Sequence, residues 1–353
     1  MKINKNIINP ITIAVSFLLL SVIAELISIL ILNNGILVYT LDDAYIHLSL
    51  AENILNGHYG INLNEFSSPS SSILWPFLIA PFSFLEIFPF LINLIAAVFN
   101  VVVFSKILNI SLNITNEQIK KIIVTSTLIV LILATNLVGL IFCGMEHSLQ
   151  VLLVTLIAYG LILEIEKNKV ENWLIFVIII SPLIRYENLA ISLSALTYLF
   201  LRKNFKKSIF SFFLIVFFTG IFSVFLISLC LDSLPNSVFA KSEIVSSSGK
   251  LSFILNNLHN SLAKRQGVFL TVGILFLISF SLFIKETNKK QFAITSSIAI
   301  FLHLLFGNYG WYNRYEIYVW TFLILIIIYF LSPYAVHLIE KERANIKKII
   351  FIL

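Results

Sequence analysis

What this 353-residue sequence has little of is charge: Asp, Glu, Lys and Arg make up 12% of it, about half of what a soluble domain carries, against 59% hydrophobic residues. With 32 Phe and so little polar sequence to cover a core, a water-facing globule is excluded, and the solvent is lipid. Cysteine is nearly absent as well. Cys143 and Cys230 have no metal-ligand spacing and cannot make a disulfide framework, so they leave the redox compartment open. There is no Walker A loop and no dinucleotide fingerprint, and the inner loops are too short to fold a domain for a soluble nucleotide donor. The first apolar run, Ile11 to Asn33, is too long for a signal-peptide core and lacks a small-residue cleavage site, which makes it an uncleaved span.

What the sequence does have is a succession of apolar runs separated by short basic loops. The net charge of +6 would suit a nucleic-acid binder, but 18 of the 24 cations cluster at residues 2–5, 106–121, 167–169, 202–207, 285–290 and 341–348. Such clusters mark the cytoplasmic side of a membrane protein, and they exclude nucleic acid as the partner. The other six, Arg185, Lys241, Lys250, Lys264, Arg265 and Arg314, fall in the alternate loops. Parity then gives about ten spans, 11–33, 88–108, 121–142, 147–163, 172–184, 188–201, 208–230, 266–284, 291–307 and 316–334, with both termini inside. Counting Ile73 to Leu85 as a crossing would put Lys106, Lys120 and Lys121 outside, so that run reads as a juxtamembrane or re-entrant helix. The expected fold is an all-α polytopic membrane protein: one transmembrane domain over 1–353, with amphipathic juxtamembrane helices in a long outer loop over 34–87.

The polar chemistry collects on the outer side. Asp42-Asp43 opens a helix that ends near Gly57, and a carboxylate at a helix N-terminus is favoured in its charged form and can act as a general base. An ordinary N-cap with a solvated neighbour is the plainer alternative. Gly144-Met145-Glu146-His147 opens another span, where Glu146 either caps the helix or binds a sugar hydroxyl. Arg185-Tyr186-Glu187-Asn188 forms a polar tip between two short spans, and its two charges could simply neutralise each other. Leu234-Pro235-Asn236-Ser237 precedes Lys241, and Tyr309 to Glu316 surrounds Arg314. Arg185, Lys241 and Arg314 are outer-face cations suited to a lipid-linked phosphate. His47 and His58 lie near the acidic pair, but the ligand set is too sparse to specify a metal site.

Taken in order, these clusters resemble the C-type (GT-C) membrane glycosyltransferases, in particular the arabinofuranosyltransferase-like branch. Asp42 to Ile46 matches an Asp-Asp-Ala-Tyr-Ile element after the first span, Ala51 to Gly57 its Ala-Glu/Arg-Asn-x-x-x-Gly continuation, and Ser67 to Trp75 a Ser/Pro-rich stretch. Gly144 to His147 stands where the branch has Gly-Leu-Glu-Thr, Arg185 to Asn188 where it has Arg-Pro-Glu-Gly, and Leu234 to Ser237 with Lys241 where it has Leu-Pro-Asn-Ser/Thr. The likeness spans about Leu41 to Glu316. It departs at Tyr186 and Asn188, at Phe306-Gly307-Asn308, and in having no C-terminal periplasmic domain.

The resemblance implies an inverting transfer from a polyprenyl-phosphate sugar to a glycan, lipid or protein acceptor, at the periplasmic face of the inner membrane. Asp42 would be the base and Asp43 its helper. Arg185, Lys241 and Arg314 would hold the phosphate, and Glu146, Glu187, Tyr45 and His58 would orient the sugar or anchor the loops. No cofactor is required, although a divalent metal is compatible with the chemistry. The competing readings are a polysaccharide polymerase or ligase, and a lipid-linked-saccharide transporter; the latter should carry ionisable residues near the bilayer midplane, where this sequence places only Glu25.

Overall fold

The computed structural model describes residues 9–237, 250–310 and 313–352, and every regular element in them is helical. Six helices are long and apolar enough to cross a bilayer: α1 (Pro10–Leu32), α4 (Phe88–Ser111), α7 (His147–Lys167), α10 (Phe205–Ser228), α12 (Arg265–Phe283) and the Ile317–Lys341 part of α14 (Ile317–Ile352). A 23-residue helix such as α1 is about 34 Å long, enough for the roughly 30 Å of hydrocarbon. The protein is an all-α membrane protein. The other expected spans are helices as well. They are α5 (Glu117–Ala134), α8 (Asn172–Ile184), α9 (Leu189–Leu201) and α13 (Thr287–Phe306).

Two expected spans differ in outline. The 121–142 run breaks after α5, because Asn136 takes a left-handed conformation (φ 47°) and restarts the chain as the short α6 (Leu137–Phe142). Gly139 makes room for the break: a Cβ there would meet the Asn136 amide at 2.6 Å. At the other end of the chain, α14 runs through Pro333 instead of stopping near residue 334, at the expense of one i→i−4 hydrogen bond.

Hydrogen bonds between loops sort the chain into two ends. At one end Thr115 bonds Glu340, Lys207 Nζ donates to the Val170 carbonyl (3.0 Å), and Arg202 donates to Glu164 (3.0 Å), Asn168 (2.9 Å) and Asn288. Tyr329 donates to Glu166 at 2.6 Å nearby. At the opposite end Thr40 N donates to the Phe142 carbonyl (3.0 Å), Asn236 N to the Ser68 carbonyl (3.1 Å), and Asn257 to the Leu305 carbonyl (2.6 Å). Residue 257 belongs to α11 (Lys250–Ala263), which lies across the last turn of α13.

The pair α8 and α9 is a hairpin and not one continuous helix. Ser192 Oγ donates to the Ile178 carbonyl at 2.9 Å, whereas 14 residues of helix would separate them by about 21 Å. Ile73 to Leu85 forms no helix long enough to cross. It holds only α3 (Trp75–Ile79) and a single 3-10 turn, and the amides of Ile73 and Leu74 both donate to the Leu183 carbonyl at the hairpin tip (3.1 and 3.0 Å). In α8, Pro182 stands just before that carbonyl, in the last turn where helix carbonyls lack intrahelical partners.

Candidate active site

The acidic pair stands at the start of α2 (Asp43–Leu55). Asp42 is the N-cap; its Oδ1 accepts from the Asp43 amide at 3.0 Å, and its side chain is exposed. The helix closes in a Schellman arrangement, with His58 N donating to the Asn53 carbonyl, Gly57 N to the Ile54 carbonyl, and Gly57 at φ +76°. Its apolar residues Ala44, Leu48, Leu50 and Ala51 are buried. The approach of α2 to the turn before α7 is very close. Gly144 has φ +65°, and a Cβ on it would meet the Tyr39 ring at 2.5 Å and the Ala44 Cβ at 2.8 Å. Tyr39 is fixed in turn: its hydroxyl donates to the Glu86 carbonyl (2.5 Å) and accepts from Phe90 N (3.2 Å).

Around this contact lies a buried charge network. Arg314 Nη2 donates to Asp43 Oδ2 at 2.6 Å and to the Tyr315 hydroxyl at 3.0 Å, and its Nη1 donates to Met145 Sδ at 2.8 Å. The Tyr315 ring lies under two guanidinium groups, Arg314 at 4.9 Å and Arg185 at 5.6 Å from its centroid. Arg185 has no exposed surface. Its Nη1 donates to Glu146 Oε1 at 2.6 Å and its Nη2 to Glu187 Oε1 at 2.8 Å. Burial by itself would lower the Arg185 pKa, and the two carboxylates outweigh it and hold the group firmly charged. The network continues from His147 through Gln150 to Asn188, whose Nδ2 donates to Ser181.

The structure therefore brings Asp42, Asp43, Glu146, Arg185, Glu187 and Arg314 into one neighbourhood. Glu146 makes no side-chain cap on α7; its carboxylate goes to Arg185 instead. Tyr45 sits beside the acidic pair, where its hydroxyl accepts from Tyr39 N at 3.1 Å. His58 lies apart, with Nε2 on the carbonyls of Asn62 and Glu65 and its ring stacked on Phe66, so it ties together the turn after α2. Lys241 lies outside the described residues, although the preceding Asn236 is anchored on Ser68. Among the described residues no three His, Cys, Asp or Glu side chains group to hold a metal ion. Cys143, next to the turn, is a poor nucleophile: burial, opposed by Arg314, pushes its thiol up to about 11.

Tyr315, Gln150 and Tyr318 did not stand out in the sequence. The signal for Gln150 was a lone amide inside an apolar span; the two tyrosines look like members of an interfacial aromatic belt. Tyr318 donates to the Glu187 carbonyl (3.1 Å) and touches His303 Nδ1 (2.8 Å). Beyond them opens a cavity of about 640 Å³ between the hairpin tip, α10, α13 and α14. Comparison of the chain with family models, curated proteins and solved structures gave no match.

Proposed function

We propose that this protein is an integral-membrane glycosyltransferase that takes a sugar from a polyprenyl-phosphate donor, with Asp42 as general base. The single observation that supports this reading is convergence. Four segments singled out one by one, at 42–46, 144–147, 185–188 and 314–316, meet at one end of the bundle around two arginines. In the reaction the acceptor hydroxyl gives its proton to the Asp42 carboxylate and its oxygen attacks the anomeric carbon. The bond from that carbon to the phosphate oxygen breaks on the opposite face, the electron pair leaves with the lipid phosphate, and the configuration inverts. Asp42 suits the base because it is exposed, while Asp43 is tethered to Arg314.

The donor phosphate is assigned to Arg314, Arg185 and Lys241. Arg314 is the more available of the two arginines, since its partner Asp43 is about a third exposed while Glu146 on Arg185 is fully buried. Ten crossings in a GT-C arrangement, with the site end facing the periplasm, belong to the same proposal. Its support is that, among the described residues, the clustered cations and Arg185, Lys250, Lys264, Arg265 and Arg314 fall at opposite ends of the helix bundle.

The test is transfer by the purified protein in lipid vesicles, with a panel of radiolabelled polyprenyl-phosphate pentoses and hexoses and a cell-envelope extract as acceptor. Release of polyprenyl phosphate with one donor is the expected result. No release with any donor, from protein that is folded by its melting curve, would overturn the proposal.

A further inference from the structure

The 640 Å³ cavity beside the charge network has a wall of its own. Its apolar lining comes from Leu189, Ala190 and Leu193 on α9, Val216 on α10, and Leu302 and Phe306 on α13. These positions lie in the turns nearest the site end of α9 and α13 and, at Val216, at the middle of α10, so the cavity runs from the site end to about the middle of the bundle. Among the described residues lining it, Glu187 is the sole charged one and no cation joins it.

Two polar atoms on this wall are buried without a partner, His303 Nε2 and the Tyr186 hydroxyl. The state of His303 follows from its neighbour. Both contacts of the Tyr318 hydroxyl are satisfied when it donates its one proton to the Glu187 carbonyl and accepts from Nδ1 of a neutral His303. His303 Nε2 is then a bare lone pair, able to accept but not to donate. A buried acceptor left unmade costs about 1–3 kcal/mol, which a ligand hydroxyl would recover. A phosphate headgroup would bring more acceptor oxygens against a lone pair and a carboxylate.

The geometry points to this cavity as the binding site of a neutral, hydroxyl-headed amphiphile. Resting on the glycosyltransferase reading, that ligand is the acceptor: a lipid-anchored glycan or polyol whose chain fills the apolar lining and whose hydroxyls meet His303 and Tyr186. The donor's phosphate does not enter it.

Gly220 supplies a test that spares the fold. It lines the cavity, its φ is not positive, and a Cβ built on it meets nothing within 4 Å, so the side chain of Gly220→Phe starts into open space. The probe is a long-chain alkyl glucoside carrying a diazirine on the chain, photolysed with the full-length protein in vesicles and mapped by mass spectrometry. Labels are expected on peptides containing residues 186–193, 216–223 and 302–307. Gly220→Phe should lower labelling at least tenfold with unchanged melting, and His303→Leu, which also gives up the contact with Tyr318, several-fold. Unlabelled alkyl glucoside should compete at least tenfold better than the alkyl phosphate of equal chain length. Equal or better competition by the phosphate would make this the donor lipid's site and overturn the inference, as would labelling indifferent to Gly220→Phe. Labelling needs no turnover. A protein that transfers sugar but does not take up the glucoside refutes this inference alone, and one that takes it up without transferring sugar from any donor refutes the function alone.

Discussion

At the scale of single residues, the two adjacent aspartates have different surroundings and should respond differently to the same change. Asn is as good an N-cap as Asp, so Asp42→Asn should leave the melting temperature within a degree or two while turnover falls about 100-fold or more. Asp43→Asn should weaken both, because it removes the charge that faces the buried Arg314. Steady-state release of polyprenyl phosphate and a thermal melt on the same preparations separate the two; Asp42→Asn with full turnover would pass the role of base to Asp43. Arg185 makes a third case. With Glu146 fully buried on it, Arg185→Met leaves a carboxylate stranded and should cost about 3–5 kcal/mol in an equilibrium unfolding titration. Adding Glu146→Leu should restore much of that loss. An arginine that served only the ligand would give an unchanged titration. These pairings were only half legible in the sequence. The residues 42, 43, 146, 185, 187 and 314 announce themselves as charges among apolar runs, but the partner of each is set by helix packing, and Asp43 lies 271 positions from Arg314.

At the scale of elements, hydrophobic run lengths were enough to place the six long apolar helices among the described residues, because lipid demands long apolar helices. What they could not show was local backbone geometry. The left-handed Asn136 and the passage of α14 through Pro333 leave the apolar pattern untouched, so the run looks continuous in one case and terminated in the other. The close approach at Gly144 was invisible for the same reason. It yields a test of how tightly the site is positioned: Gly144→Ala pushes the start of α2 away from the turn that carries Glu146, and displacements of about 1 Å in a catalytic group can cost 100-fold. Activity should fall at least tenfold with helix content retained by circular dichroism. Gly35→Ala serves as the control, since its φ is also positive but no atom lies within 4 Å; an equal loss in both would trace the effect to backbone strain and not to the Tyr39 contact.

At the scale of the whole molecule, the two bundle ends should face two compartments. In a Cys230→Ser background, where the remaining Cys143 is buried, a membrane-impermeant maleimide should label Asn64→Cys in intact cells and Asn113→Cys only after permeabilisation. Labelling of residue 113 from outside would make 73–85 a crossing and reverse the parity. The same long-range bonds that define the ends also set an order of assembly. Asp43 meets Arg314 across 271 residues, and Thr115 meets Glu340 across 225. At about 5–20 residues per second on the ribosome, the first helices wait ten seconds or more for these partners. A chain halted before Arg314 would already hold most of its apolar helices, yet its acidic pair would stand without the arginine that Asp43 meets. Synthesis thus withholds the Asp43–Arg314 contact until all but the last of the described helices have been made.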